Sequence, residues 1–325
     1  MSTGQPDSPR LIADIGGTNA RFALVRADRD VPTDEMTLRG ADYPDFGAAA
    51  EAYLERVGGP RPVLGFCAIA NPVTGDRLRM TNHAWAFSIE QTRRRLGFEH
   101  LRFINDFAAQ ALAIPHLPEG DKVKMGGGEP MARRPIGVLG PGTGLGVSGL
   151  IPTPAGEWVP IEGEGGHVTY SPVTPREMEI ATALRERHGH CSAERLVSGV
   201  GLKATYAAIC SLDGVTARNI EPDGISAGAA SGEDAQCAET IHVFTMALAT
   251  TAANLAVTLG ALGGIFLCGG ILPRLGAQFD EPAFRERFEN KGRFREYLSA
   301  VPTYLVHAKS PALLGLAKTL GPVAG

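Results

Sequence analysis

Two short stretches decide how this chain folds: Asp14-Ile15-Gly16-Gly17-Thr18-Asn19-Ala20-Arg21 and Gly140-Pro141-Gly142-Thr143-Gly144-Leu145-Gly146. Each joins two apolar runs, Leu11 to Asp14 with Ala20 to Val25, and Ile136 to Leu139 with Gly146 to Ile151. The pattern is strand, Gly-Thr turn, strand, and it occurs twice. Glycine lets a phosphate approach backbone N–H groups, and Thr and Asn side chains add donors, so the pair reads as a phosphate clamp. An ordinary hairpin explains either turn taken alone. A third glycine turn, Cys268-Gly269-Gly270-Ile271-Leu272-Pro273, leaves an apolar strand and suits a place beneath a nucleotide base or ribose.

Around these turns, strands alternate with helices, the mark of an α/β sheet. Val63 to Ile69 reads as a strand, and Phe46 to Val57 as an amphipathic helix closed by Gly58-Gly59. Ile104 to Phe107 leads into an Ala-rich helix, Ala108 to Ile114, ended by Pro115. Trp158 to Ile161 is strand-like, and Pro175 to His188 is helical, with Thr174 as cap and Glu177 completing a capping box. Residues 211–234 read as a surface loop with little chemistry, and Ser310-Pro311 opens a helix over Ala312 to Leu320.

Composition bounds the function. The 325 residues suggest about two domains, since one domain takes about 150. Apolar residues at 44% and charged residues at 20% exclude a disordered chain. Against 35 acidic residues, 31 basic ones leave a net charge of -4, which offers no field to hold nucleic acid. Cys67, Cys191, Cys210, Cys237 and Cys268 are scattered, with no Cys-x-x-Cys pair, and read as reduced, buried thiols. The start, MSTGQPDSPR, carries no leader pattern, so a cytoplasmic location is expected. Ile241 to Leu272 lacks any Lys, Arg, Asp or Glu. The stripe of Thr250, Thr251, Asn254 and Thr258 and the glycines after it make this a buried helix and a core strand rather than a membrane span.

Other chemistries were weighed on their motifs. Gly144-x-Gly146-x-x-Gly149 matches the dinucleotide fingerprint in letters, but Leu150-Ile151-Pro152-Thr153-Pro154 follows where a helix should open. There is no P-loop and no protein-kinase signature. Glu164-x-x-His167 and Glu239-x-x-His242 imitate di-iron helices, yet Gly165-Gly166 would break the first. Arg93-Arg94-Arg95 reads as the exposed face of a helix. Asp106, at the end of an apolar strand, is either a general base or the N-cap of the following helix. Glu164, His167 and Glu194 suit the polar partners that desolvated hydroxyls require, or else a solvated acidic loop.

Together, Asp14 to Arg21, Asn105-Asp106-Phe107, Gly140 to Gly146, Glu162-Gly163-Glu164-Gly165-Gly166-His167 and Ser192-Ala193-Glu194 resemble the bacterial glucokinases of the hexokinase and actin-like ATPase superfamily. Thr81-Asn82-His83, Trp85 to Ser88 and Lys291-Gly292-Arg293-Phe294 add to the likeness, which runs from about Leu11 to Gly321. The chain lacks the clustered cysteines of zinc-containing relatives, which points to the non-zinc branch. The resemblance implies two ribonuclease-H-like α/β domains flanking a cleft, the smaller from 1–110 and 306–325, the larger from 111–305. It implies transfer of the γ-phosphoryl group of ATP to the 6-hydroxyl of glucose, with Asp106 as base and Asn105, Glu164, His167 and Glu194 on sugar hydroxyls. Asp14, Gly16, Gly17, Thr18, Asn19, Gly142, Thr143 and Gly144 would hold the phosphates, Gly269 and Gly270 would lie by the base or ribose, and Asp14 would be an outer-shell acceptor for Mg2+. Similar enzymes are often homodimers. A kinase of another hexose and an actin-like ATPase are the alternatives.

Overall fold

The computed structural model describes residues 8–26, 30–80, 83–308 and 310–318. Residues 1–7, within the start expected to carry no leader pattern, Thr81 and Asn82, and the last two residues of the expected terminal helix lie outside that set. The chain divides into two compact units. One comprises residues up to Leu117, Trp158–Glu162 and those from Ala308 onward, and the other Pro118–Glu157 and Gly163–His307.

In the first unit, β1 (Arg10–Ile15), β2 (Asn19–Val25) and β3 (Pro32–Arg39) precede α1 (Phe46–Val57) and β4 (Leu64–Ile69). Short β5 (Arg77–Arg79) and β6 (Ala86–Ser88) pair with each other before α2 (Ile89–Leu96), β7 (His100–Asn105) and α3 (Asp106–Ala113). The sheet order is β3-β2-β1-β4-β7. β1 runs antiparallel to β2 and parallel to β4, which is parallel to β7. Alternating apolar residues on these strands and the apolar stripe of α1 meet in a core where Phe22 stacks on Phe46 and Tyr53 and Phe103 meets Phe46 edge-on. The terminal helix Pro311–Lys318 crosses α3 closely, because a Cβ on Gly315 would collide with the Ala109 carbonyl. The three arginines of α2 are all paired: Arg93 and Arg94 with Glu90, Arg95 with Asp45 and Glu51.

The second unit begins with β8 (Lys122–Gly126), β9 (Ile136–Pro141) and β10 (Leu145–Pro152); β11 (Trp158–Ile161) follows and belongs to the first. Then come α4 (Pro175–His188), α5 (Gly199–Leu212), α6 (Pro222–Ser231), α7 (Ala235–Leu259), β12 (Ile265–Leu267), α8 (Ile271–Leu275), α9 (Glu281–Glu289), α10 (Arg295–Ser299) and β13 (Thr303–Val306). Strands β10, β9, β12, β13 and β8 lie side by side in that order. β9 is antiparallel to β10 and parallel to β12, which is parallel to β13. The sequence of senses through β2-β1-β4-β7 is therefore repeated through β10-β9-β12-β13, and each copy opens on one of the two Gly-Thr turns. α7 is long and apolar enough to cross a membrane, but 78% of its apolar window is buried in this unit's core. All five cysteines are free and buried.

Two expectations need correction. The stretch 211–234 is not all loop, since Pro222–Ser231 forms α6, opened by Pro222 and closed by Gly232 at φ 71°. Its small residues bury only Ile225, so no apolar stripe announced it. At α4, Thr174 does cap, accepting from Glu177 N at 3.2 Å. Glu177 does not complete a capping box, because its carboxylate turns inward to Tyr170 Oη, Val173 N and Arg287. The largely buried Arg287 guanidinium is a stronger partner for the carboxylate than the cap N–H.

Candidate active site

In the first unit the site residues share one edge of the sheet. Register aligns Ile15 with Ile69 and Ile69 with Asn105, so the β1–β2 turn and the start of α3 sit at the carboxyl ends of parallel strands. That is where open α/β sheets bind ligands. One strand separates them, so their backbones stand about 10 Å apart, two strand spacings. Asn105, not Asp106, is the N-cap of α3: its Oδ1 accepts from Phe107 N at 2.8 Å and Ala108 N at 3.2 Å. Capping takes the Asn105 oxygen and leaves its Nδ2 as the group that can donate to a ligand. Asp106 is half-buried in the first turn, where the helix N-terminus favours a carboxylate.

Asp14 is half-buried at the end of β1, and Arg21 Nη1 lies 3.8 Å from its Oδ2. Burial pushes the Asp14 carboxyl above the usual range and the Arg21 guanidinium pulls it part of the way back. Arg21 is itself held by Ser310 Oγ at 2.7 Å. The turn closes with Gly16 N donating to Asn19 O at 3.0 Å, leaving Thr18 and Asn19 exposed. A Cβ at Gly16 would meet only Asn19 O, at 3.6 Å, so the fold itself does not require glycine there. A single carboxylate beside a glycine turn fits a hydrated Mg2+ carried in by substrate phosphates, and does not fit a metal held by protein alone. Among the described residues no group of three or more His, Cys, Asp or Glu could hold a metal ion.

In the second unit, Glu194 organises the candidate residues. Its Oε2 accepts from Leu145 N at 2.9 Å, which anchors the turn joining β9 to β10. Its Oε1 lies 4.0 Å from His167 Nδ1. Gly144 is demanded by this arrangement, since a Cβ there would fall 2.5 Å from Glu194 Oε2. The turn carrying Glu164 and His167 lies flat on β10, because Gly166 meets the Leu145 carbonyl where no Cβ would fit. Ser192 bridges to Thr169, and Ala193 N donates to Val168 O at 2.9 Å, so the two turns dock together. Glu164 and His167 are exposed. Gly165–His167 is a single 3-10 turn, which rules out the facing helix a Glu-x-x-His metal pair needs.

The glycines divide by what surrounds them. Gly269, at φ 90°, would drive a Cβ to 2.5 Å from Pro141 O, so packing explains it. Gly142 and Gly270 would meet nothing nearer than 4.0 and 3.9 Å. Gly142, Thr143 and Gly270 also line one cavity of about 620 Å3, with Gly199 at the start of α5, Pro222, Asp223 and Ser226 of α6, and Gln278 beyond α8. Sequence reading missed the α6 residues and Gln278, having taken 211–234 for an inert loop; no motif marked them. Arg21, at the end of the first turn's motif, carries no sequence signal for its contact with Asp14.

A glucokinase family model matches residues 11–322. The chain belongs to the glucokinase family. It is 51% identical to the glucokinase of Aromatoleum aromaticum over 324 residues, 98% of this chain and 97% of that one. It is 47% identical to that of Chromobacterium violaceum over 321 residues, 98% of this chain and 92% of that one. Among solved structures it resembles a glucokinase from an Antarctic psychrotroph, with TM-score 0.87 and 36% identity over 96% of this chain and 98% of that one. The glucokinase likeness brings with it the two-domain actin-like ATPase fold that both sheets display.

Proposed function

We propose that this member of the glucokinase family transfers the γ-phosphoryl group of ATP to the 6-hydroxyl of glucose. Asp106 is the base. The observation that carries this is its place in the first turn of α3, at the same sheet edge as Asp14 and the first Gly-Thr turn. Phosphoryl transfer asks little covalent work of a protein beyond taking the hydroxyl proton and neutralising moving charge. Asp106 accepts the 6-hydroxyl proton as the oxygen attacks phosphorus, and Asn105 Nδ2 donates to a neighbouring hydroxyl. Glu194, fixed by Leu145 N, accepts from sugar hydroxyls together with Glu164, while His167 supplies an imidazole nitrogen. Backbone N–H groups at Gly17, Thr18 and Thr143, with the Thr18 and Asn19 side chains, bind phosphate oxygens, while Gly16 and Gly142 close the two turns by donating to Asn19 O and Gly144 O; the base lies in the cavity bordered by Gly270. Asp14 orients the water shell of Mg2+, which when bound screens the charge of the β- and γ-phosphates. A cytoplasmic homodimer completes the proposal, and sedimentation equilibrium reports the assembly.

The test is ATP-dependent phosphorylation across a hexose panel, wild type beside Asp106→Asn. Glucose turnover falling by about two to four orders of magnitude, with glucose binding kept, supports both reaction and base. Turnover of another hexose in place of glucose would move the substrate assignment. ATP hydrolysis with no sugar phosphorylated would favour an actin-like ATPase.

A further inference from the structure

The cavity bordered by Gly142, Thr143 and Gly270 is walled on one side by α6 and by the segment after α8. There Gln278 Nε2 donates to Ser226 Oγ at 2.8 Å, while Gln278 Oε1 is buried without a hydrogen-bond partner. Buried carbonyl oxygens rarely stay unpaired in native proteins. Both residues line the cavity, and although Oε1 itself is closed to solvent, a small shift of the amide toward the cavity lets an occupant supply the missing donor. The Ser226 oxygen already accepts from the amide, which leaves its O–H to donate. An acceptor and a donor therefore stand side by side.

The six-position edge of adenine carries the complement, an exocyclic amino donor next to a ring-nitrogen acceptor. A 6-oxopurine would set its own oxygen against Gln278 Oε1. We infer that Gln278 and Ser226 read the purine of the phosphoryl donor and select adenine over 6-oxopurine nucleotides. This rests on the cavity being the nucleotide seat, as proposed above. A neighbouring cavity, lined by Arg187, His188, Lys203 and Arg218, holds another buried unpartnered atom, His188 Nε2, while Lys203 pairs with Glu221 and Arg218 with Asp234.

The experiment compares kcat/KM for ATP and ITP at saturating glucose in wild type, Gln278→Leu and, should that variant fold poorly, Gln278→Met. Wild type should prefer ATP, and loss of the acceptor should cut the ATP to ITP ratio by about tenfold through KM for ATP. Equal losses on both nucleotides would make Gln278 merely structural and overturn the inference. So would a wild-type preference for ITP, because an amide turned by 180° would present its donor instead. Ala227→Trp narrows the same cavity, and ADP titration of that variant separates the two levels. Weakened ADP binding there, with no selective effect at Gln278, sinks the base readout alone. Undiminished ADP binding in both variants sinks the nucleotide seat as well.

Discussion

Gly144→Ala is the substitution whose consequence follows most directly from the geometry. The new Cβ would stand 2.5 Å from Glu194 Oε2 and 3.3 Å from its Cδ. A comfortable C···O approach is about 3.3 Å, so the carboxylate oxygen must retreat by about 0.8 Å. Retreat is sterically cheap, since the colliding atom ends a flexible side chain, but it stretches the 2.9 Å bond from Leu145 N beyond hydrogen-bond range. A hydrogen bond to a charged group contributes about 1.5–3 kcal/mol, which corresponds to about ten- to a hundredfold if that carboxylate also holds the sugar. We expect KM for glucose to rise by that factor, with KM for ATP changed far less and the thermal midpoint nearly unmoved. Glu194→Gln should cost a similar factor, and the double variant scarcely more than either alone, because both remove the same placed carboxylate. Steady-state kinetics varying each substrate in turn, with a thermal melt beside it, reads all of this. A glucose KM equal to wild type in folded Gly144→Ala would refute the assignment of Glu194 to the sugar. Additive effects in the double variant would refute the coupling.

Three further outcomes are expected. Gly16→Ala should leave stability unchanged and raise KM for ATP, whereas Gly269→Ala, at φ 90° against the Pro141 carbonyl, should lower the melting temperature; calorimetry with ATP kinetics compares them. Burial raises the Glu177 carboxyl, but Arg287, Val173 N–H and Tyr170 O–H more than reverse this and hold it below the usual range. Its stabilisation is thus present above the ordinary glutamate pKa and lost as pH falls through the lowered folded value; Arg287→Leu should cost about 3–5 kcal/mol at neutral pH, less in acid, by urea melts at several pH values. The five buried thiols, with Cys268 pushed up to about 12 by burial, should resist alkylation in the native protein and react once it unfolds, counted by mass spectrometry.

What the sequence disclosed tracks how local its physics is. The two Gly-Thr turns are hairpins between apolar runs, and strand period with turn chemistry suffices to place them. Thr174 and Pro175 start α4 where capping rules put it, because those contacts span three residues. Glu177 departs from the same rules because its partner, Arg287, lies 110 residues away. Helix α6 escaped for a related reason: Pro222 and Gly232 bound it, but its small residues leave one buried position, and it is the packing of α5 and α7 against it that a periodicity search does not see. Distance along the chain, more than chemical type, separates the legible contacts from the hidden ones.

The same rule explains why Glu194 could be named as a candidate but not understood. Its neighbours in sequence say only that it is an acidic residue in a polar turn. In the structure its backbone carbonyl accepts from Ser198 Oγ, the cap of α5, and its carboxylate holds the β9–β10 turn. One residue thus links the turn assigned to phosphates, the helix start beside the cavity proposed for the nucleotide and the imidazole assigned to the sugar. Under the proposed assignments Gly144, by yielding space to Glu194, serves the sugar side as well as the phosphate side. Its glycine is therefore tied to a carboxylate 50 residues away, a constraint that the turn's own residues do not disclose.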